Sequence, residues 1–215
     1  MGEPVLKRTC MRDRIRDVLV ERILDGTYPA GTQLKELTLA REFNVSQAPI
    51  REALRELEGS GLVTSERYRG TRVRGADMHE LRESYELRCM MEERAVQLAA
   101  PYSEALLREL EECLAAMTLA IEQGAPERYI DLALSFHRAL IRASGNRTFL
   151  VVWESLHWDV RGRVVLRRIA EYGSGLQPML ELHRALLGRL QLGDVEGARA
   201  KLCALFARIV ATLEI

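Results

Sequence analysis

The stretch Leu39-Ala-Arg-Glu-Phe-Asn-Val-Ser-Gln-Ala-Pro-Ile-Arg-Glu-Ala-Leu-Arg-Glu-Leu-Glu58 decides the reading of the N-terminal third. Ser46 is a good helix N-cap, and Pro49 falls in the first turn, where its missing N–H costs nothing. A helix then runs from Gln47 to about Glu58, burying Ile50, Ala53, Leu54 and Leu57, and Gly59-Ser-Gly61 ends it. Upstream, a shorter helix fits Glu36 to Phe43 with Leu37, Ala40 and Phe43 inward. Asn44, tolerant of the left-handed conformation, closes it. The joint Phe43–Ser46 is short, as a helix-turn-helix requires.

Working outward, Ile15, Val18, Leu19, Ile23 and Leu24 mark one face of a preceding helix that stops at Gly26. Downstream, Leu62–Thr64 and Thr71–Val73 read as two short strands around the loop Ser65–Gly70. Three helices followed by a basic hairpin give a winged helix-turn-helix over residues 1–76. From Asp77 the texture changes to long Leu/Ala/Glu/Arg runs. Helices are expected from Asp77 to Pro101, Ser103 to Gly124, Pro126 to Ser144, Thr148 to Ala170, Leu176 to Leu192, and Val195 to Leu213 with Asp194 as N-cap. The fold class is therefore mainly α: a winged helix-turn-helix, then an all-α bundle of about six helices over residues 77–215.

The chain has 215 residues, 47% of them hydrophobic, enough to bury a real core. Its 31 Lys+Arg balance its 31 Asp+Glu, which excludes a polycation and an acidic tail protein. The balance is uneven along the chain: residues 1–76 carry 14 basic against 11 acidic side chains, and no acid interrupts Arg67, Arg69, Arg72 and Arg74. That cluster suits a polyanion. No run approaches a membrane span and no leader is read at the N-terminus, so a cytoplasmic protein is expected. Cys10, Cys89, Cys113 and Cys203 lack a C-x-x-C pair and suit free thiols. Cys89 reads as a buried structural thiol, with a redox role as the alternative.

In a helix-turn-helix the second helix presents its N-terminal residues to base edges. Here those are Ser46, Gln47, Ala48 and Arg51. Arg fits guanine O6/N7 and Gln fits adenine N6/N7. Ser46 and Thr32 are placed to hold phosphates, and Arg67, Arg69 and Arg72 on the wing to reach phosphates or the minor groove. The bland alternative for Arg51 is an ion pair on a solvated face.

These residues closely resemble the GntR superfamily of bacterial transcription factors, through the quoted stretch together with Gly61-Leu-Val and Arg69-Gly-Thr-Arg-Val. The helical remainder resembles the FCD effector domain of the FadR-like subgroup. The marks are Leu87-Arg88-x-x-x-Glu92, Phe136-His137-Arg, Ala143-Ser-Gly-Asn146 and His183-Arg-Ala-Leu. The resemblance implies a homodimer on a palindromic double-stranded operator, switched by a small-molecule effector. Carried over by position, Ser46, Gln47, Ala48, Arg51, Thr32 and the wing residues Arg67, Arg69, Gly70 and Arg72 contact DNA. Gln47 departs from the family's usual Arg, which predicts a base other than guanine at that step.

In many such domains one Asp and three His hold a divalent metal, zinc, nickel or manganese. The resemblance matches His137 and His183 to two of these ligands. Ala133 and Leu205 stand where the other two belong, so two of four are lost. His157 lies on another helix among apolar neighbours and reads as packing. Arg88 either orients a carboxylate effector or pairs with Glu92 at i+4. Asn146, the fourth effector candidate with Arg88, His137 and His183, also fits a helix junction. Arg142 and Arg161 are further candidates for the cavity wall.

The reading is a DNA-binding transcriptional regulator, most simply a repressor. The alternative is a helical small-molecule or metal-binding module whose N-terminal domain no longer reads DNA. An enzyme would need a nucleophile–base pair or an open metal site. The sequence shows no Gly-rich phosphate loop, no H-E-x-x-H and no G-x-S-x-G.

Overall fold

The computed structural model describes residues 10–66, 69–171 and 175–213. They fall into two units, divided between Asp77 and Met78. The first opens with α1 (Met11–Leu24), which buries Ile15, Leu19, Val20 and Ile23. β1 (Gln33–Leu34), α2 (Glu36–Glu42) and α3 (Gln47–Gly59) follow, then β2 (Val63–Glu66) and β3 (Gly70–Val73). α1 and α2 both pack on α3, whose Ile50, Ala53, Leu54 and Leu57 form the centre of this small core.

Asn44 takes a left-handed φ of 52°, and the Val45 amide returns to the Ala40 carbonyl at 2.9 Å. That turn sets the angle between α2 and α3. Among the described residues the sheet is three-stranded and antiparallel in the order β1-β3-β2. Gln33 pairs with Arg72, and Val63 with Val73. Sequence periodicity missed β1, because two residues are too few to show an alternation. It also placed Leu37 inside; Leu37 is 51% exposed and Leu39 is buried instead, while Ala40 is buried as expected. A helix as short as α2 offers too few turns for spacing to choose its inner face.

The second unit consists of α4 (Met78–Ala99), α5 (Glu104–Glu122), α6 (Pro126–Ala143), α7 (Arg147–Ser155), α8 (Trp158–Glu171), α9 (Gln177–Gln191) and α10 (Val195–Leu213). α4 packs on α6 and α10, α5 on α6 and α9, α9 on α10, and α8 on α6 and α10. Tyr85, Phe136, Leu140, Leu186, Leu202 and Phe206 lie in the core. Ser103 caps α5 through the Leu106 amide, and Asp194 caps α10 through the Gly197 amide at 2.8 Å.

The bundle has seven described helices where about six are expected, because the segment Thr148–Ala170 is broken. His157 has a φ of 50°, and α7 ends just before it. The physical reason is a pair of tryptophans. In a continuous helix residues five apart diverge by roughly 140°, yet Trp153 and Trp158 are both buried, their ring centroids 6.2 Å apart. The break lets both turn inward.

Gly162 on α8 packs tightly against α6: a Cβ there would sit 2.8 Å from Cγ2 of Ile130. Gly162→Ala is expected to cost about 1–3 kcal/mol by overpacking, partly offset by alanine's better helix propensity. Chemical denaturation of the full chain checks this; an unchanged or raised midpoint would contradict the packing described.

Candidate DNA-reading face and buried effector cluster

The first turn of α3 carries no acidic residue, and Ser46 sits at the N-cap position without a side-chain capping bond. Ser46, Gln47, Ala48 and Arg51 are all exposed, whereas Ile50, Ala53 and Leu54 face the core. The uncapped amides and the positive end of the helix dipole thus face outward beside Gln47 and Arg51, a setting that attracts phosphate.

Arg51 is held by neither Glu52 nor Glu56. Glu36, the first residue of α2, takes its guanidinium in a forked ion pair at 2.8–3.2 Å. The hydrogen bond from Arg51 keeps the Glu36 carboxyl below its ordinary value. Arg51 remains half exposed, aimed but accessible.

Thr32 lies beside β1, half-buried, its carbonyl accepting from the Val73 amide. Gly70 opens β3 with a φ of 78°, where only glycine is unstrained. Arg69 is 78% exposed beside Glu66, and Arg72 donates to the Gly31 carbonyl at 3.1 Å. Arg67 lies outside the described residues.

In the helical unit, Arg88, His137 and His183 come together; Asn146 does not join them. Asn146 caps α7, its side-chain oxygen accepting from the Phe149 amide at 3.2 Å. Arg142 pairs with Glu109 on the surface, and Arg161 reaches Ser84 and the Leu156 carbonyl. His157 marks the α7–α8 joint.

The centre of the cluster is Glu92, a residue that sequence reasoning saw only as a partner for Arg88. Its carboxylate is fully buried and accepts from Arg88 Nε at 2.7 Å and Trp153 Nε1 at 2.9 Å on one oxygen. Its other oxygen meets His137 Nδ1 at 2.5 Å. The Arg88 guanidinium lies 4.8 Å from the Trp158 ring centroid and 5.2 Å from that of Phe206. Of the two readings of Arg88, the ion pair is therefore present. His137 Nε2 meets His183 Nε2 at 3.1 Å, and His183 Nδ1 donates to the Met179 carbonyl at 2.8 Å.

Burial works against the charge on Glu92, but His137 and Arg88 outweigh it and hold the carboxyl at about 2. Burial, helped by His137, pushes His183 down to about 3, and burial lowers His137 also.

Beside the cluster lies a cavity of about 40 Å³, lined on one side by Arg88, His137 and His183 and on the others by Ile130, Val165, Ile169 and Leu205. The family's metal does not fit here. Ala133 and Leu205 present only hydrocarbon to the cavity, and Glu92 is engaged on His137 Nδ1, away from the facing Nε2 atoms. Among the described residues, no group of three or more potential ligands includes His137 and His183. Tight divalent binding needs more than two imidazoles.

A winged helix-turn-helix joined in sequence to a helical bundle with a charged, partly hollow centre is the build of a ligand-responsive transcription factor. Residues 11–73 match the bacterial regulatory proteins of the gntR family, and residues 83–208 match the FCD domain. The chain is 32% identical over 191 residues to the "Probable D-xylose utilization operon transcriptional repressor" of Paenarthrobacter nicotinovorans, spanning 89% of this chain and 83% of that one. It is 31% identical over 188 residues to the gluconate operon transcriptional repressor of Bacillus subtilis, spanning 84% and 76%. The fold is also that of E. coli McbR/YncC, with a TM-score of 0.72 at 24% identity, covering 95% of this chain and 97% of that chain. The chain belongs to the GntR family, in the branch with an FCD domain, and is a DNA-binding transcriptional regulator responsive to a small molecule. Among the described residues no helix is long and apolar enough to cross a membrane.

The cluster makes the helical unit acid-sensitive. His183 stands near 3 in the fold against 6.5 as its ordinary value, and Glu92 near 2 against 4.5. Both shifts make the unfolded chain bind more protons on the acid side. Stability is therefore full above pH 6.5 and falls as the pH drops from 6.5 towards 2. Melting curves across that range are expected to show the loss, and His183→Leu to flatten its upper part. Glu92→Leu, which strands Arg88, is expected to cost about 3–5 kcal/mol, with Arg88→Met/Glu92→Leu recovering most of it.

Proposed function

We propose that the chain is a cytoplasmic repressor that binds a palindromic operator as a homodimer. In this reading residues 1–76 hold the DNA and residues 77–215 hold the effector and the dimer contact. The observation that carries it is the exposed first turn of α3, where Ser46, Gln47, Ala48 and Arg51 stand free of the core above buried Ile50 and Leu54. Ser46 and Thr32 take phosphates, Gln47 and Arg51 read base edges, and Arg69, Gly70 and Arg72 follow the backbone beside α3, joined by Arg67. Glu36 pre-orients Arg51, which limits the side-chain freedom lost on binding. A single winged helix covers only one half-site, which favours a dimer. Exposed Leu87 and Met90 on α4 and Val151 on α7 supply apolar surface for it.

The effector enters the cavity beside Arg88, His137 and His183. The relatives' names, one a regulator of D-xylose utilization and one of a gluconate operon, favour a sugar or sugar acid. The Arg88 guanidinium and two imidazoles favour the acid, as a carboxylate competes with Glu92 for the same donors. A metal is not required in this reading.

Selection of the full chain on random DNA is expected to return a two-fold symmetric site with a base other than guanine opposite Gln47. Gln47→Arg is expected to move that preference to guanine. Arg51→Ala is expected to weaken the selected site by about 1–3 kcal/mol, roughly 5- to 150-fold, while leaving non-specific binding nearly unchanged. Selection that yields no enriched site would overturn the reading in favour of a helical binding module that does not read DNA.

A further inference from the structure

Cys89, Glu93 and Cys203 form a second cluster of possible metal-ligating side chains in the helical unit, outside the cavity lining. Cys89 and Glu93 are four residues apart on α4 and share one face. Cys203 comes from α10, which packs on α4. The two sulfurs are 3.7 Å apart, and Cys89 Sγ lies 3.9 Å from Glu93 Oε2. One donor atom from each of the three lies within 4.8 Å of the others, and all three side chains are half-buried. Arg199 Nη2 donates to the other Glu93 oxygen, Oε1, at 3.3 Å, fixing the carboxylate with Oε2 towards the thiols.

We propose that Cys89, Glu93 and Cys203 form a zinc site that ties α4 to α10. Two thiolates bound to one tetrahedral zinc at about 2.3 Å each stand about 3.8 Å apart, and the sulfurs here already have that spacing. A carboxylate completes a three-ligand set with a fourth position for water. The mixed sulfur and oxygen donors suit zinc, whereas copper(I) prefers sulfur alone. Binding releases the two thiol protons to solvent and leaves two thiolates, one carboxylate and one dication: a net charge of minus one, offset by Arg199. Arg199 holds Glu93 from outside the ligand shell, as partners of metal ligands commonly do. The metal's binding energy would then add to the packing of the helix that carries Arg88 and Glu92.

The test uses the full chain, kept reduced under argon, dialysed against zinc and separately against cobalt(II). One metal per chain is expected, with a thiolate-to-cobalt charge-transfer band in the near ultraviolet. Zinc is expected to raise the melting temperature. Cys203→Ser should weaken the band and lower affinity about tenfold or more, and Glu93→Gln should lower affinity with the band retained. Circular dichroism should show both variants fully helical. The proposal is overturned by uptake no greater than that of Cys89→Ser/Cys203→Ser. It is equally overturned by metal bound without a charge-transfer band, which would place it on imidazole, or by a chain that loses two hydrogens to a Cys89–Cys203 disulfide in air even with zinc present.

Discussion

A carboxylate with no access to water must be met on every side by donors, and Glu92 imposes that condition on the helical unit. Arg88 from its own helix, His137 from α6 and Trp153 from α7 all converge on its two oxygens. The guanidinium brought in to balance it is itself buried among Tyr85, Trp153, Trp158 and Phe206. Those rings draw in α8 and α10, and the need for both tryptophans to face one centre breaks the α7–α8 segment at His157. A buried ion pair of this kind adds little net stability over hydrocarbon, but losing one partner costs much. It fixes which helices meet and in what register.

This centre occupies the neighbourhood that the family resemblance assigns to a metal. Ala133 and Leu205 stand where the resemblance puts two of its ligands, and the facing imidazoles of His137 and His183 lie between Glu92 and the Met179 carbonyl. α4, which carries Arg88 and Glu92, starts at Met78, directly after the first unit ends in sequence. In the proposed reading, an effector that draws Arg88 from Glu92 acts on the helix that follows the first unit in sequence. In the first unit a second ion pair, Glu36 with Arg51, holds the guanidinium while leaving it accessible.

The winged helix was largely legible in the sequence. Ser46, Pro49 and the 3.6-residue spacing from Ile50 to Leu57 admit only one helix placement. β1 and the exposure of Leu37 were not, since elements of two and seven residues carry no resolvable period. That Ala133 and Leu205 offer no ligand atom where the resemblance expects one was legible in the sequence. The role of Glu92 was half legible: its i+4 spacing offered the pair with Arg88, but its contacts with His137 and Trp153 lie 45 and 61 residues away in sequence. The meeting of Cys89 with Cys203 spans 114 residues and left no sequence signal.

The chain's two tryptophans, Trp153 and Trp158, both flank Arg88, so their emission reports directly on this centre. The deciding measurement is tryptophan fluorescence of the full chain titrated with sugar acids and the matching neutral sugars, alongside operator binding under the same conditions. If effector control runs through the Arg88–Glu92 centre, a sugar acid changes emission and operator affinity with one shared midpoint, and its neutral counterpart changes neither. A compound that alters operator affinity while leaving the emission unmoved would contradict the account.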